Sequence, residues 1–447
     1  MAKKYDVIIV GGGPAGIFAA LELSQVSDLS ILLIEKGKDI DERSNLVCGL
    51  GGAGAFSDGK LTLTLEVGGR LRDYLNKSDA EALIKYVDDI YLKFGVSDKL
   101  YGVGGGVDEW CRRACLAGLR LIPVPLRHLG TERCRLVLKA VRDYLFSRLE
   151  FKLGVMASTV IVDNGEVRGI ETEAGDRLDC HYLILAPGRE GADWLSAEAE
   201  RLNLNMHINP IDVGIRVEIP AAVMEELTNT LYEVKLEFLS KSFDDRIRTF
   251  CMCPGGEVIT EPTGGCDPVI TVNGHSYSNY KSSRTNFALL VSTTFTEPFR
   301  EPIAYGKYLA RLANIISGGV LVQRFGDLME GRRSTPARIE RGLVEPSLKS
   351  AVPGDLSFVL PYRHLSGLIE MLQAMDKLSP GVASQHTLLY GVEVKFYSCR
   401  PQLSSSLETE VGNLFAVGDG AGVSRGLVQA SASGIVAARE ILRRSRH

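Results

Sequence analysis

YDVIIVGGGPAGIFAALEL, residues 5–23, carries the reading of the fold. The apolar run 7–10 predicts a buried strand. Gly11, Gly13 and Gly16 follow in G-x-G-x-x-G spacing, and the small and apolar residues from Pro14 and Ala15 onward recur with helical period. The first glycine permits a tight turn, the second lets backbone approach a pyrophosphate, and the third lets helix pack on strand. The phosphates then sit at the positive N-terminus of the helix. A second apolar strand over 29–34 ends in Glu35, nineteen residues past Gly16, where the adenosine ribose of a dinucleotide needs a carboxylate acceptor. An acid there disfavours a 2′-phosphate, and Lys36 beside it is a further candidate contact. Alone, a glycine fingerprint is compatible with a structural loop; here strand, helix, spacing and acid agree.

The far end of the chain decides between dinucleotides. NLFAVGDGAGVSRGLVQASASGIVAARE, residues 413–440, reads as a strand over 414–417, then Gly418-Asp419-Gly420, then a small-residue helix from Gly426 to 437. Such an element brings an acid to a ribityl chain and a helix N-terminus toward a flavin pyrimidine, so Asp419 is expected on ribitol and the cofactor is expected to be FAD. The bland alternative is a Gly-Asp turn before a core helix. A third strand, 182–186, runs into Ala186-Pro187-Gly188-Arg189 and returns backbone to the cofactor, which makes Ala186 and Gly188 candidate contacts.

The 447 residues suffice for two or three domains, and 45% apolar content is that of ordinary globular protein. A net charge of −4 gives no reason to expect nucleic acid or an anionic membrane as partner. The first residues pass directly into a strand, leaving no room for a signal peptide, and no uncharged apolar run nears the ~20 residues of a spanning helix; a cytoplasmic location is expected. Nine scattered cysteines argue for thiols rather than a disulfide framework. Cys111 and Cys115 stand one helical turn apart, but no partner pair follows at zinc spacing, and no metal is expected.

Between the two ends, the pattern changes character. Helices are expected over 78–93 and 131–148, the latter with Thr131 as cap, and 102–106 reads as a glycine loop. Strands follow over 151–155, 158–162 and 167–172, with a hairpin turn at Asp163-Asn164-Gly165. From about Asn203, alternating stretches over 211–219, 248–253, 269–272 and 288–294 imply an antiparallel sheet, followed by helices over 305–317 and 365–378. The fold class is therefore α/β, a Rossmann-like FAD-binding domain of glutathione-reductase type (residues 1–202 and 391–447) with an inserted α+β substrate domain built on an antiparallel sheet (203–390). The middle region has no second dinucleotide fingerprint. A nicotinamide has no home of its own there, though NAD(P)H or another redox protein remains available as electron donor or acceptor.

The loop GGAGAFSDGKL (51–61) with FCMCPGGEV (250–258), VNGHSY (272–277) and VGDGAG (417–422) resembles, over the whole chain, a family of bacterial and archaeal FAD-dependent dehydrogenases, the NAD(P)/FAD-dependent oxidoreductases. The resemblance implies the FAD domain and inserted sheet domain named above and a redox reaction whose natural substrate is generally unassigned. Two positions depart from the family pattern: Asp419 stands where members often carry Glu, and His275 replaces a different residue.

Flavin carries hydride chemistry itself, so the protein needs to hold it, shape the pocket and supply a proton. Gly52, Ser57, Asp58, Gly59 and Lys60 lie on a loop too long and glycine-rich for mere connection. Ser57 and Lys60 are candidates for touching flavin or substrate; the alternative is that the loop covers FAD phosphates and ribose. Cys251 and Cys253, two apart on a strand, would share a face, and a thiolate there is able to form a flavin adduct or relay electrons; the alternative is two small buried hydrophobes. His275 and Tyr277 are candidate proton donors, and Tyr397 and Arg400 further candidates beside the flavin, Arg400 for an anionic group. Cys48 reads as packing. The expected function is an FAD-dependent oxidoreductase, dehydrogenase or reductase, transferring a hydride between flavin N5 and a small organic substrate bound between the FAD and inserted domains. Alternatives are a non-catalytic flavin-binding sensor or assembly protein and, more weakly, a flavin monooxygenase or a tRNA-modifying flavoprotein. Oligomeric state has no signature in the sequence.

Overall fold

The computed structural model describes residues 4–25, 28–43, 48–56, 59–207, 209–263, 268–276, 280–294, 301–396 and 400–446. The chain divides into two compact units: residues 1–100, 125–209 and 398–447 form the first, and 101–124 with 210–397 form the second.

In the first unit the strand Lys4–Val10 lies at the centre of a largely parallel sheet. It pairs in parallel with Ile31–Glu35 on one side and Arg177–Leu185 on the other, and Glu150–Leu153 extends the sheet beyond Ile31–Glu35. Val7, Ile8 and Ile9 are fully buried. A strand covered on both faces reads as a continuous apolar run rather than an alternating one. Arg177–Leu185 is shared along its length. Its first residues pair antiparallel with Glu166–Thr172, and its last three pair in parallel with Leu414–Ala416, so the C-terminal segment joins the sheet beside the opening strand's neighbour. The hairpin Ala157–Asp163/Glu166–Thr172 turns through Asn164 (φ 51°) and Gly165 (φ 78°), the two positive φ values that a tight two-residue turn demands.

The helices Pro14–Ser24 and Leu427–Ser445 pack face to face through small residues. A Cβ on Gly434 would fall 2.0 Å from the Ala15 carbonyl oxygen, so this glycine sets how closely the axes approach. The last helix runs eight residues past the expected 437, because Ala438, Ile441 and Leu442 continue its buried face. Its arginines pair with acids: Arg439 donates to Glu22, and Arg444 to Glu408 and Glu440. Two expected boundaries also move. Thr131 is the first helical residue, with Gly130 at the cap position, and the expected loop 102–106 yields to a helix from Gly105 to Leu116.

The second unit is built on an eight-stranded sheet in the order Val352–Pro353, Leu321–Arg324, Leu388–Lys395, Ile211–Pro220, Arg284–Thr293, Arg246–Pro254, Lys235–Leu239, Arg120–Ile122. All neighbours are antiparallel except the first pair. Ile211, Val213, Ile215, Val217 and Ile219 face one core, together with apolar residues of helices Ala221–Leu231, Pro302–Ser317 and Tyr362–Leu378. Alternation of this kind ordinarily marks a strand with one solvated face. Here the intervening Asp212, Arg216 and Glu218 are fully buried as well. The hairpin Glu257–Thr263/Val269–His275 and residues near 339–351 supply a second apolar cluster around Val258, Val272, Val344 and Tyr390. Among the described residues, no helix is long and apolar enough to cross a membrane.

Candidate functional site

The glycine loop has the backbone its spacing predicts. Gly11 sits at φ 107°, and a Cβ on it would lie 2.1 Å from the Ala186 carbonyl oxygen; one on Gly16 would lie 1.9 Å from the Gly11 carbonyl oxygen. Both glycines are demanded by the packing of strand, turn and helix. Gly13 differs. Its φ of −78° suits any residue, and a Cβ there would meet nothing nearer than the Gly52 Cα at 3.9 Å. Space has been left above Gly13, where the helix starts with Pro14 at its first turn and no side chain caps it. The first amides of a helix have no partner within it and carry its positive partial charge, which suits a phosphate.

Glu35 closes the adjoining strand, and its carboxylate accepts from the backbone amides of Gly12 (2.8 Å, Oε2), Gly37 (2.8 Å, Oε1) and Gly49 (3.1 Å, Oε1). Of about four acceptor positions on a carboxylate, this leaves one on Oε2 for a hydroxyl. Lys36 stands 3.6 Å from Glu190 on the surface. Arg43, absent from the sequence reading, is buried and donates to the carbonyls of Gly49, Leu50 and Gly52. Burial lowers its pKa, against Glu35, which raises it. Arg43 thus fixes the turn that lies over Gly13: the Gly51 amide donates to the Gly12 carbonyl, and Gly52 takes φ 55°. Cys48 lies 4.0 Å from Glu35, its thiol pushed up by burial first and by Glu35.

The C-terminal strand delivers its acid to the same unit. Gly418 (φ 79°) is tied to the Ser433 hydroxyl at 3.0 Å, and a Cβ on it would stand 3.0 Å from the Ala15 Cβ, so the loop runs along the first helix near its start. Gly420 passes against Gly188: a Cβ would lie 2.3 Å from the Gly188 carbonyl oxygen. Asp419 accepts from the Ser424 hydroxyl at 2.7 Å. Burial raises its pKa, opposed by Ser424, Arg189 and Arg425. Gly426 precedes the last helix in extended conformation, and that helix too begins without a side-chain cap. Gln429, also missed from sequence, donates to the Val67 carbonyl at 2.8 Å and holds residues 67–71 against this segment.

The remaining candidates of the first unit lie on or beside the glycine-rich loop. Gly59 (φ 68°) and Lys60 run antiparallel to residues 126–129, with Lys60 opposite His128. Ser57 and Asp58 lie outside the described residues, as do Tyr277 and Tyr397. Arg400 donates to Asp73 and to the Tyr74 hydroxyl, a setting for holding the chain rather than for a free anion site.

Cys251, Cys253 and His275 belong to the second unit, around a buried ionic layer. Arg216 uses all five N–H groups: two to Glu393, one to Asn286, one to Asn273 and one to the Cys251 carbonyl. Lys395 stands 3.0 Å from Glu393. Burial pushes the Glu393 carboxyl up, but Arg216 and Lys395 outweigh it and hold the group below its ordinary value. Glu218 goes the other way: burial raises it, and Tyr390 donates to it at 2.5 Å. Cys251 and Cys253 do not share a face. The pairing with Arg284–Thr293 shifts register between Phe250 and Cys253, leaving Cys251 exposed at φ 35° and Cys253 buried. A β-bulge of this kind breaks the two-residue alternation. His275 ends its strand opposite Glu257, and its carbonyl and the Cys253 Cβ both lie within 2.8 Å of where a Gly256 Cβ would be. Among the described residues no group of three or more His, Cys, Asp or Glu is placed to hold a metal.

Three stretches of the chain match families. Residues 6–82 match the FAD binding domain, 210–396 the family described as FAD-dependent protein, C-terminal domain-like, and 351–447 Glucose inhibited division protein A. An uncharacterized protein of Clostridium beijerinckii is 28% identical over 481 residues, covering 98% of this chain and 81% of that one. A short segment is similar to a mitochondrial electron transfer flavoprotein-ubiquinone oxidoreductase of Oryza sativa subsp. japonica, 46% identical over 44 residues, 9% of this chain and 8% of that one. The L-proline dehydrogenase of P. horikoshii superposes with a TM-score of 0.43 at 13% identity, over 99% of this chain and 94% of that one, too loosely to carry function across. The FAD matches fall on the segments that build the uncapped helix start above Gly13 and the sheet of the second unit; the chain is similar to FAD-dependent proteins along both, and FAD is its cofactor.

Proposed function

We propose that the chain is an enzyme that moves a hydride between FAD and a small organic substrate recognised by polar groups of the second unit. The observation that carries the reading is the buried ionic layer of Arg216, Glu218, Glu393 and Lys395 beside two thiols and an imidazole. Ionisable groups whose proton affinities are shifted by burial and by specific partners concentrate at functional sites. A sheet that needed only stability would be served as well or better by apolar residues there.

When bound, FAD supplies a two-electron centre at N5. The amides above Gly13 and at Gly426 bind its negative charge, Glu35 and Lys36 its adenosine end, and Asp419 its ribityl hydroxyls, with Gly52, Gly59, Ala186, Gly188 and Gly420 shaping the walls. His275 and Tyr277 hold or give the proton that a reduced or oxidised substrate exchanges, Lys60 touches flavin or substrate, and Cys251 and Cys253 stand as thiol candidates. NAD(P)H or a redox protein is the electron partner, and the direction of flow follows from which of them reacts.

The test is the visible absorption of the FAD-loaded protein under anaerobic conditions, before and after NADH and NADPH. Bleaching of the flavin bands by either, with a primary isotope effect when the transferred hydrogen is deuterium, supports hydride transfer. Flavin that stays oxidised with both, and that no panel of small organic reductants bleaches, would sink the enzymatic reading while leaving FAD binding untouched.

A further inference from the structure

Cys251 and Cys253 of the second unit sit in a setting that neither FAD binding nor the fold explains. Along a regular strand, residues two apart have Cα atoms roughly 6.6 Å apart, at the upper edge of what a disulfide spans. The bulge between Phe250 and Cys253, with Cys251 at φ 35°, departs from that regular spacing. Cys253 is already turned back: its Sγ lies 3.6 Å from the Cys251 carbonyl oxygen. That carbonyl is in turn held by the Arg216 guanidinium at 3.1 Å. One sulfur is exposed and the other buried, the asymmetry of an attacking and a resolving thiol.

A second feature faces the buried sulfur. Asn286 stands directly opposite Cys253 in the strand register, is fully buried, accepts from Arg216 through Oδ1, and has no partner for Nδ2 among the described residues. A buried amide N–H without an acceptor is costly, and this one lies on the strand position that faces Cys253. Both sulfurs also lie close enough to Arg216 to add to the fields that hold it charged: burial lowers its pKa, and Glu393 first, then Cys253 and Cys251, raise it.

We propose that Cys251 and Cys253 are a redox pair that closes reversibly to an intrachain disulfide, with a peroxide as oxidant. The Cys251 sulfur attacks one peroxide oxygen, the O–O bond breaks, and a sulfenic acid forms as the hydroxide released takes up the thiol's proton and leaves as water. The Cys253 sulfur then attacks the Cys251 sulfur, the S–O bond breaks and a second water leaves. Two thiols lose two electrons and two protons, and hydrogen peroxide is reduced to two waters. The bridge removes the exposed nucleophile and draws on the carbonyl that Arg216 holds, so its closing is felt in the ionic layer. The inference concerns the same thiols as the reading above but not its hydride chemistry, and its test reads the sulfurs directly.

The FAD-loaded full chain, reduced and freed of reductant, is treated with stoichiometric hydrogen peroxide, alkylated under denaturing conditions and digested with trypsin. The peptide running from Thr249 to Lys281 holds Cys251, Cys253 and Cys266. We expect it to lose two of its three alkylations and two hydrogens, to regain them with dithiothreitol, to behave the same in Cys266→Ser, and to lose the effect in Cys251→Ser and Cys253→Ser. Three alkylations retained after peroxide, oxygen gained without a bridge, or a bridge abolished by Cys266→Ser would each overturn it. The wild-type measurement stands even if a variant fails to fold, and flavin bleaching by a donor is indifferent to it.

Discussion

Gly13→Ala and Gly16→Ala separate what the glycine loop does for the fold from what it does for the cofactor. At Gly16 the new Cβ would sit 1.9 Å from the Gly11 carbonyl oxygen, and strand and helix must part until that gap reaches about 3.4 Å. Overpacking of that kind costs about 1–3 kcal/mol or more. At Gly13 the φ of −78° is open to alanine and the nearest atom is 3.9 Å away, so the folded protein gives up nothing. Restricting the unfolded chain should even stabilise it by about 0.4–1 kcal/mol. The methyl instead occupies the space left for the pyrophosphate. Losing one or two charge-assisted bonds from helix amides, at about 1.5–3 kcal/mol each, weakens FAD roughly tenfold to a hundredfold or more. Urea unfolding of the FAD-free protein reads the first quantity and fluorescence titration with FAD reads the second. Gly13→Ala should be stable and bind poorly; Gly16→Ala should be less stable. A Gly13→Ala protein that binds FAD within about threefold of wild type would refute the assignment of that space to phosphate.

Glu393→Gln leaves the fully buried Arg216 without its charged partner, which should lower stability by about 3–5 kcal/mol in a urea titration following the second unit; a change under about 1 kcal/mol would mean that the two asparagines and the Cys251 carbonyl suffice. His364 gives the pH dependence. Burial lowers its pKa from 6.5 to about 4, and it keeps a hydrogen bond to Thr293. Between those two values the unfolded chain takes up a proton that the folded one refuses, so stability falls as pH drops from 6.5 toward 4, by up to about 3 kcal/mol. His364→Gln should flatten that window, and an unchanged slope would place its origin elsewhere. Below about pH 4.5 a further loss sets in as carboxylates held low in the folded state, Glu393 and Asp327 among them, are protonated.

What the sequence made legible is what a contiguous stretch of backbone determines. The seat above Gly13 needs particular φ values and close approaches within a few residues of one another, and only glycine meets them, so spacing alone reveals it. Glu35 ends the strand Ile31–Glu35 and Asp419 stands three residues past Leu414–Ala416, each after an apolar run that announces it. Residues whose role is set by distant partners were not. Arg43 and Gln429 act by holding backbone carbonyls of other loops, and nothing in their neighbourhood marks them. Arg120–Ile122 joins the second unit by pairing with Lys235–Leu239 more than a hundred residues on. The strand Ile211–Pro220 shows the opposite failure: its alternation reads as a solvated face, while Asp212, Arg216 and Glu218 are a buried layer held by partners distant in sequence. The bulge at Cys251 depends on how two strands fall into register, which two cysteines in sequence do not encode.

The first unit is expected to hold FAD through the loop at Gly13 and the acids Glu35 and Asp419. The most direct measurement is the visible spectrum and dissociation constant of the purified chain titrated with FAD, beside the same titration with FMN and riboflavin, which lack the adenosine half. FAD should bind saturably at one site per chain with the flavin bands perturbed, and FMN and riboflavin should bind more weakly by at least about a hundredfold. Equal affinity for FMN and FAD, or no flavin bound at all after reconstitution, would contradict it.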